Sequence, residues 1–394
     1  MPEYEPLPLG ALCNAGVELY GPDRFRSGGT YLQVRPELPP LGEQSFHGLP
    51  FLIGPAAQPD GERCFLAFGC DNESYRATVR IPVGKSARHV LFAHAVLETE
   101  LWRGGELGIE VALYRFCFAD GSVVEVPIRE RFEIGTFPLP WGQYPFLCLP
   151  DQKDALEDRY QGRWSHSGFR QTEVTGAVPH GYFIWSWHNP CPTETLTAIE
   201  VVPRAGKFVL AAVTLGHIDE TPVLRDTARP VQVTLRDAED AARPFDLTVD
   251  VDRGTASYAY PLPTEPLDVA APEMRGFGAP PNRSSSPAYT TIAALPSATV
   301  SVTQSGESLA EFRWADLAGA GSLETPRVRF DLLEHAKNWV RVSVLDADTG
   351  EALPCRIAFH SPAGVPYPPH GHHAPIFSNQ PTWNIDIGGD VSLG

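Results

Sequence analysis

Proline sets the first limit on this chain. It carries 39 prolines beside 35 glycines, and proline stands at roughly twice its ~5% average share. A proline ring removes the backbone N–H and clashes with the preceding helical turn, so it belongs in turns, strand edges and linkers. A mostly helical fold is therefore not expected, and the segments between prolines must be short.

Those segments are β in character. Residues 88–96 and 108–118 read as strands, and Ala119-Asp120-Gly121-Ser122 supplies a turn before Val123-Val124-Glu125-Val126-Pro127-Ile128. Asp-Gly between two β runs predicts a hairpin, because it accepts the positive φ that tight turns need. Residues 182–187, 196–202 and 208–215 continue the series. Strands at this spacing predict an all-β protein: a jelly-roll or β-sandwich domain over 1–228, followed by smaller Ig-like or transthyretin-like modules. Asp151–Tyr160 reads as one short, charged helix.

After Leu224 the composition changes. Asp246–Asp252 alternates, with Leu247, Val249 and Val251 on one face. Residues 261–298 are rich in Pro, Ser, Ala and Gly and read as a long loop or linker inside a second module, 229–335. A third module, 336–394, opens on Trp339–Leu345, turns at Asp346-Ala347-Asp348-Thr349-Gly350 and returns through Cys355–Phe359.

Charge narrows the function classes. With 31 Lys plus Arg against 48 Asp plus Glu, the net charge is −17. That argues against binding nucleic-acid phosphates or anionic membranes. The N-terminus MPEYEPLPLG has neither a basic nor an apolar signal region, and no apolar run approaches membrane-spanning length, so a cytoplasmic protein is expected. The seven cysteines are irregularly spaced with no C-x-x-C. Buried reduced thiols are the expected state, with a Cys64–Cys70 disulfide as the alternative.

Three stretches carry chemistry-bearing residues. The first is Trp164-Ser165-His166-Ser167-Gly168-Phe169-Arg170 together with Trp185-Ser186-Trp187-His188-Asn189-Pro190. Exposed indole rings stack on sugar faces and Asn, His and Arg bind hydroxyls, so Trp164, Arg170, Trp187, His188 and Asn189 are candidates for a carbohydrate surface. Strand alternation offers the opposing reading, since it puts Trp185 and Trp187 on one face, where they would fill the core. The second is the set Glu98, Glu100, Glu125, Glu130 and Glu133 near strand ends. Two of these held ~5 to ~9 Å apart could hydrolyse a glycoside. They are equally readable as solvated rim charges. The third is His370, His372 and His373, with Asp386 and Asp390, whose donors suit zinc or manganese. In its Pro/Gly-rich setting the same run also reads as a polar turn. His47 and the mid-strand His94 read as structural histidines. No Walker loop, dinucleotide fingerprint, H-E-x-x-H or G-x-S-x-G occurs.

Three segments resemble the N-terminal β region of bacterial CehA/McbA-type metallohydrolases, whose catalytic part is a PHP-like domain. They are Leu91-Phe92-Ala93-His94 through Ala119-Asp120-Gly121 to Pro127-Ile128-Arg129-Glu130-Arg131-Phe132; Tyr182-Phe183-Ile184-Trp185-Ser186-Trp187-His188-Asn189-Pro190; and Arg341–Gly350 through Tyr367-Pro368-Pro369-His370-Gly371-His372 to Gly389-Asp390-Val391. The last is similar to a carboxypeptidase-regulatory-like module. The resemblance implies a downstream His-x-His-bearing catalytic domain and carries no catalytic residue onto this chain. The resulting expectation is a non-catalytic accessory region of a metal-dependent hydrolase, binding carbohydrate or positioning a catalytic partner. The alternatives are a self-contained glycoside hydrolase or lyase with its site in the first sandwich, and a metal-binding protein using His370–His373.

Overall fold

In the computed structural model the described residues are 2–20, 39–55, 63–69, 75–137, 145–151, 155–156, 172–173, 181–223, 228–257, 259–265, 285–333, 340–353, 355–358, 361–365, 384–387 and 391–393. The chain divides into two compact units. One is Met1–Ala155 with Glu173–Val223, the other Leu156–Thr172 with Leu224–Gly394. The described strands pair into antiparallel ladders, so the all-β expectation holds.

The first unit contains β1 (Tyr4–Leu7), β2 (Gly42–Phe46), β3 (Leu49–Ile53), β4 (Leu66–Phe68), β5 (Val79–Lys85), β6 (His89–Val96), β7 (Glu110–Phe118), β8 (Val123–Arg129) and β9 (Leu149–Pro150). Two short strands, β10 (Ala155–Leu156) and β11 (Thr172–Glu173), each span a boundary between the units, and β12 (Phe183–His188), β13 (Leu196–Pro203) and β14 (Phe208–Gly216) complete the first. One sheet runs β1-β14-β6-β12-β9, with β4 also on β14; a second runs β5-β13-β7-β8. Strands β6 and β14 are buried at every residue. Their near-continuous apolar sequence is what burial on both faces requires.

Aromatic rings join the two sheets into a sandwich. Trp187 of β12 stacks on Phe116 of β7 with ring centres 3.5 Å apart, and Phe92 of β6 meets Tyr114 of β7 at 4.9 Å. Trp185 lies 5.4 Å from Phe92 on the same seam. The opposite face of the first sheet is covered by the β2–β3 hairpin, where the Thr214 hydroxyl donates to the Pro50 carbonyl at 2.7 Å. That hairpin turns at His47 and Gly48, whose φ angles are 52° and 73°. Two consecutive positive φ values match the strand twist, and Gly at the second position meets them without strain. The Asp-Gly hairpin forms between β7 and β8 as expected, with the Ser122 N–H donating to Asp120 Oδ1 at 2.8 Å.

The second unit holds β15 (Arg229–Leu235), α1 (Ala238–Ala242), β16 (Leu247–Val251), β17 (Gly254–Ala256), β18 (Tyr260–Pro261), β19 (Ala288–Ala294), β20 (Thr299–Gln304) and β21 (Glu307–Arg313). It continues through α2 (Trp314–Ala320), β22 (Ser322–Glu324), β23 (Val328–Leu332), β24 (Val340–Val342), β25 (Cys355–Ala358), β26 (Asn384–Ile387) and β27 (Val391–Leu393). A β17-β19-β15-β23-β22 sheet and a β16-β20-β21 sheet share one apolar core. Leu247, Val249 and Val251 enter that core from alternate positions of β16, as their spacing predicts. Beside them Asp240, 2% exposed, takes two hydrogen bonds from Arg327, at 2.8 and 2.9 Å. Asp346 closes the expected turn by accepting from the Thr349 N–H at 2.8 Å.

Two expectations need correction. Within the segment read as a linker, Ala288–Ala294 is a buried strand that pairs with β15 and β17. The proline-rich average over 261–298 masked the run Ala-Tyr-Thr-Thr-Ile-Ala-Ala, whose aromatic and β-branched members favour a pleated surface. Of the helix expected over Asp151–Tyr160, only Asp151, Ala155 and Leu156 are described, and the last two form β10.

Trp187 supplies the tightest stack in the seam, so its truncation leaves a void between the sheets. Trp187→Ala is expected to cost ~3–5 kcal/mol, measured as a fall in the urea midpoint of the first unit. An unchanged midpoint would show that the ring does not hold the sheets together.

Candidate functional site

The candidate carbohydrate residues sit at the end of β12, and the structure gives them different tasks. Trp187 is 6% exposed and lies flat on Phe116, so it presents no open face to a sugar. Asn189 is fully buried. Its amide donates to the carbonyls of Ala87 at 2.7 Å and Cys191 at 3.1 Å, and its Oδ1 accepts from the Cys191 N–H at 2.9 Å. All its bonds serve the turn that leaves β12. His188 alone of the three is exposed. Trp164 and Arg170 lie outside the described residues, as do His370, His372, His373 and Asp390; Asp386 falls in β26.

Across the strand pair, His188 lies directly opposite His89 of β6. Their ring centres are 5.0 Å apart. His89 is 5% exposed, and its Nδ1 is buried without a hydrogen-bond partner among the described residues. A Cβ on Gly216 would meet Tyr4 Cε1 at 3.1 Å and His89 Cβ at 3.2 Å, so glycine there leaves room for both side chains. Burial, and then the neighbouring His188, push the His89 pKa down to about 4.

His94 is a different kind of histidine. It is completely buried in the seam, 2.9 Å from the Glu133 carbonyl through Nε2 and 3.0 Å from the Tyr114 hydroxyl through Nδ1. A carbonyl can only accept, so Nε2 carries the proton and Nδ1 accepts from Tyr114. Burial holds the His94 pKa down at about 4 and raises that of the Tyr114 phenol. Both groups are neutral and satisfied. The reading of His94 as structural is the one its geometry supports, and His47, at the β2–β3 turn with Nε2 2.6 Å from the Pro150 carbonyl, is also bound into the fold.

The carboxylates named from sequence are mostly paired with cations. Glu98 meets Lys207 at 3.1 Å, Glu100 meets Arg103 at 3.1 Å and Glu125 meets Arg115 at 3.0 Å. Glu133 accepts from the Arg129 backbone N–H and from both Nε and Nη2 of its guanidinium. Glu130 differs. It is 4% exposed, and its Oε1 has no hydrogen-bond partner among the described residues. Desolvation raises its pKa; the Thr99 hydroxyl opposes this and the Glu100 charge adds to it. The next residue, Arg131, has φ +67°, a left-handed conformation that is strained for a side chain of this kind. Its guanidinium lies over the ring of Phe146, which is 49% exposed.

Among the described residues no group of three His, Cys, Asp or Glu side chains is placed to hold a metal ion. Cys13, Cys64 and Cys148 are buried. No helix among the described residues is long and apolar enough to cross a membrane. Comparison with protein-family models, characterised proteins and solved structures finds no match for this chain.

Sequence reasoning passed over His89. Its signal is a second histidine at a β-strand start, and only strand register brings it to His188.

Two outcomes follow from these environments. His94 has a native pKa below its unfolded value of ~6.5, so its contribution to stability is complete above that value. It is lost as pH falls toward about 4. Denaturation midpoints should fall through that window by up to about 1.4 kcal/mol per pH unit, and His94→Gln should flatten the slope. Glu130→Gln removes a carboxylate that burial disfavours while keeping an acceptor for Thr99. Thermal unfolding at pH 7 should show equal or greater stability; a marked loss would mean that the charge itself is held by a partner.

Proposed function

We propose that this chain is a non-catalytic β region of a metal-dependent hydrolase, which positions a PHP-like catalytic partner and offers a surface to carbohydrate. The resemblance of the three sequence stretches supports the hydrolase association. The observation that carries the non-catalytic part is the commitment of polar groups in the first sandwich. Glu98, Glu100, Glu125 and Glu133 face Lys or Arg partners, and His94 spends both ring nitrogens on the core. Acid–base chemistry at neutral pH instead needs a group free to exchange a proton with substrate. Within this reading, sugar contact falls to Trp164, Arg170 and the exposed His188, because Trp187 and Asn189 serve the fold.

A second reading has one observation in its favour. Glu130 is a buried carboxyl whose pKa desolvation raises, with the Glu100 charge adding to the rise, and a carboxyl that burial favours in its protonated form is suited to donate a proton. It would make the chain a carbohydrate-active enzyme with Glu130 as proton donor.

One assay separates the two. The purified chain, supplied with zinc or manganese, is incubated with chromogenic glycosides, uronate polymers and phosphoesters. The accessory reading expects no turnover above the protein-free rate, and binding to insoluble polysaccharide that Trp164→Ala weakens. Turnover abolished by Glu130→Gln would replace it with the enzyme reading.

A further inference from the structure

We propose that His89 and His188 form a two-imidazole site for a divalent transition-metal ion of the zinc, copper or nickel class. The inference does not depend on the accessory reading. It rests first on register: the two residues are direct partners on the antiparallel pair β6–β12, where facing side chains approach most closely. It rests next on spacing. Two imidazoles sharing one tetrahedral ion at ~2 Å per nitrogen hold their ring centres ~5 Å apart, and the observed separation is 5.0 Å.

The two rings play complementary parts. His89 is held in place by burial. His188 is exposed, so an ion has a way in. The buried Nδ1 of His89 lacks a hydrogen-bond partner among the described residues, an arrangement that is costly unless something meets it. A coordinating ion meets that need.

The surrounding charges are balanced. Arg88 is the adjacent cation, and Asp219 stands 3.4 Å from its guanidinium. With two protein donors, the remaining coordination positions go to water or to an incoming ligand. Imidazole donors favour zinc, copper and nickel over magnesium and calcium.

The test uses the full chain after chelator treatment. Because His370, His372 and His373 offer separate imidazoles, it is run in a background carrying His370→Ala, His372→Ala and His373→Ala. One equivalent of zinc should bind by calorimetry, and magnesium should not compete. With copper, the electron paramagnetic resonance spectrum should show two coordinated imidazole nitrogens. His188→Ala, a surface change, should reduce the count to one and weaken zinc by about tenfold or more. His89→Gln, checked for folding by circular dichroism, should do the same. No zinc uptake in the background protein, or equal affinity and an unchanged nitrogen count in His188→Ala, would overturn the proposal.

Discussion

The first unit depends on a seam of rings between its two sheets. Phe92, His94, Trp185 and Trp187 from one sheet meet Tyr114 and Phe116 from the other. Each ring removes a large apolar area from water, and stacked or tilted pairs add to that gain. One polar member complicates the seam. A buried imidazole is tolerable only when neutral and satisfied at both nitrogens, and Tyr114 and the Glu133 carbonyl meet that condition for His94.

That condition extends outward. The Glu133 carbonyl is in place because the turn between Arg129 and Ile134 is tight, with the Glu133 carboxylate gripping the Arg129 backbone and guanidinium. The same turn strains Arg131 and leaves Glu130 buried. Two of the five carboxylates picked out in sequence, Glu130 and Glu133, are thus parts of one structural device, while Glu98, Glu100 and Glu125 pair with cations elsewhere. The second unit solves its own polar problem similarly, by burying Asp240 against Arg327.

Much of the fold was legible from sequence because period-two alternation and turn chemistry act locally. The Asp120-Gly121 hairpin, the β16 stripe of Leu247, Val249 and Val251, and the Asp346 turn all formed where these rules place them. The site was less legible, for a physical reason. The face on which Trp187 lies can be read from alternation, but whether that face meets another sheet cannot. Asn189 has the chemistry of a ligand group, and only the path of the chain turns its amide onto Ala87 and Cys191. The pairing of His89 with His188 depends on register between strands far apart in sequence. The strand β19 was hidden by the prolines and serines around it.

The central claim is that the first sandwich uses its buried polar groups to hold itself together. Long-range nitrogen–proton spectra of histidine-labelled protein test it most directly, through His94. The account predicts a neutral ring protonated at Nε2, unchanged from pH 7.5 down to about 5, consistent with a pKa of about 4. An imidazolium signal titrating near the ordinary value of ~6.5, or a proton on Nδ1, would contradict it.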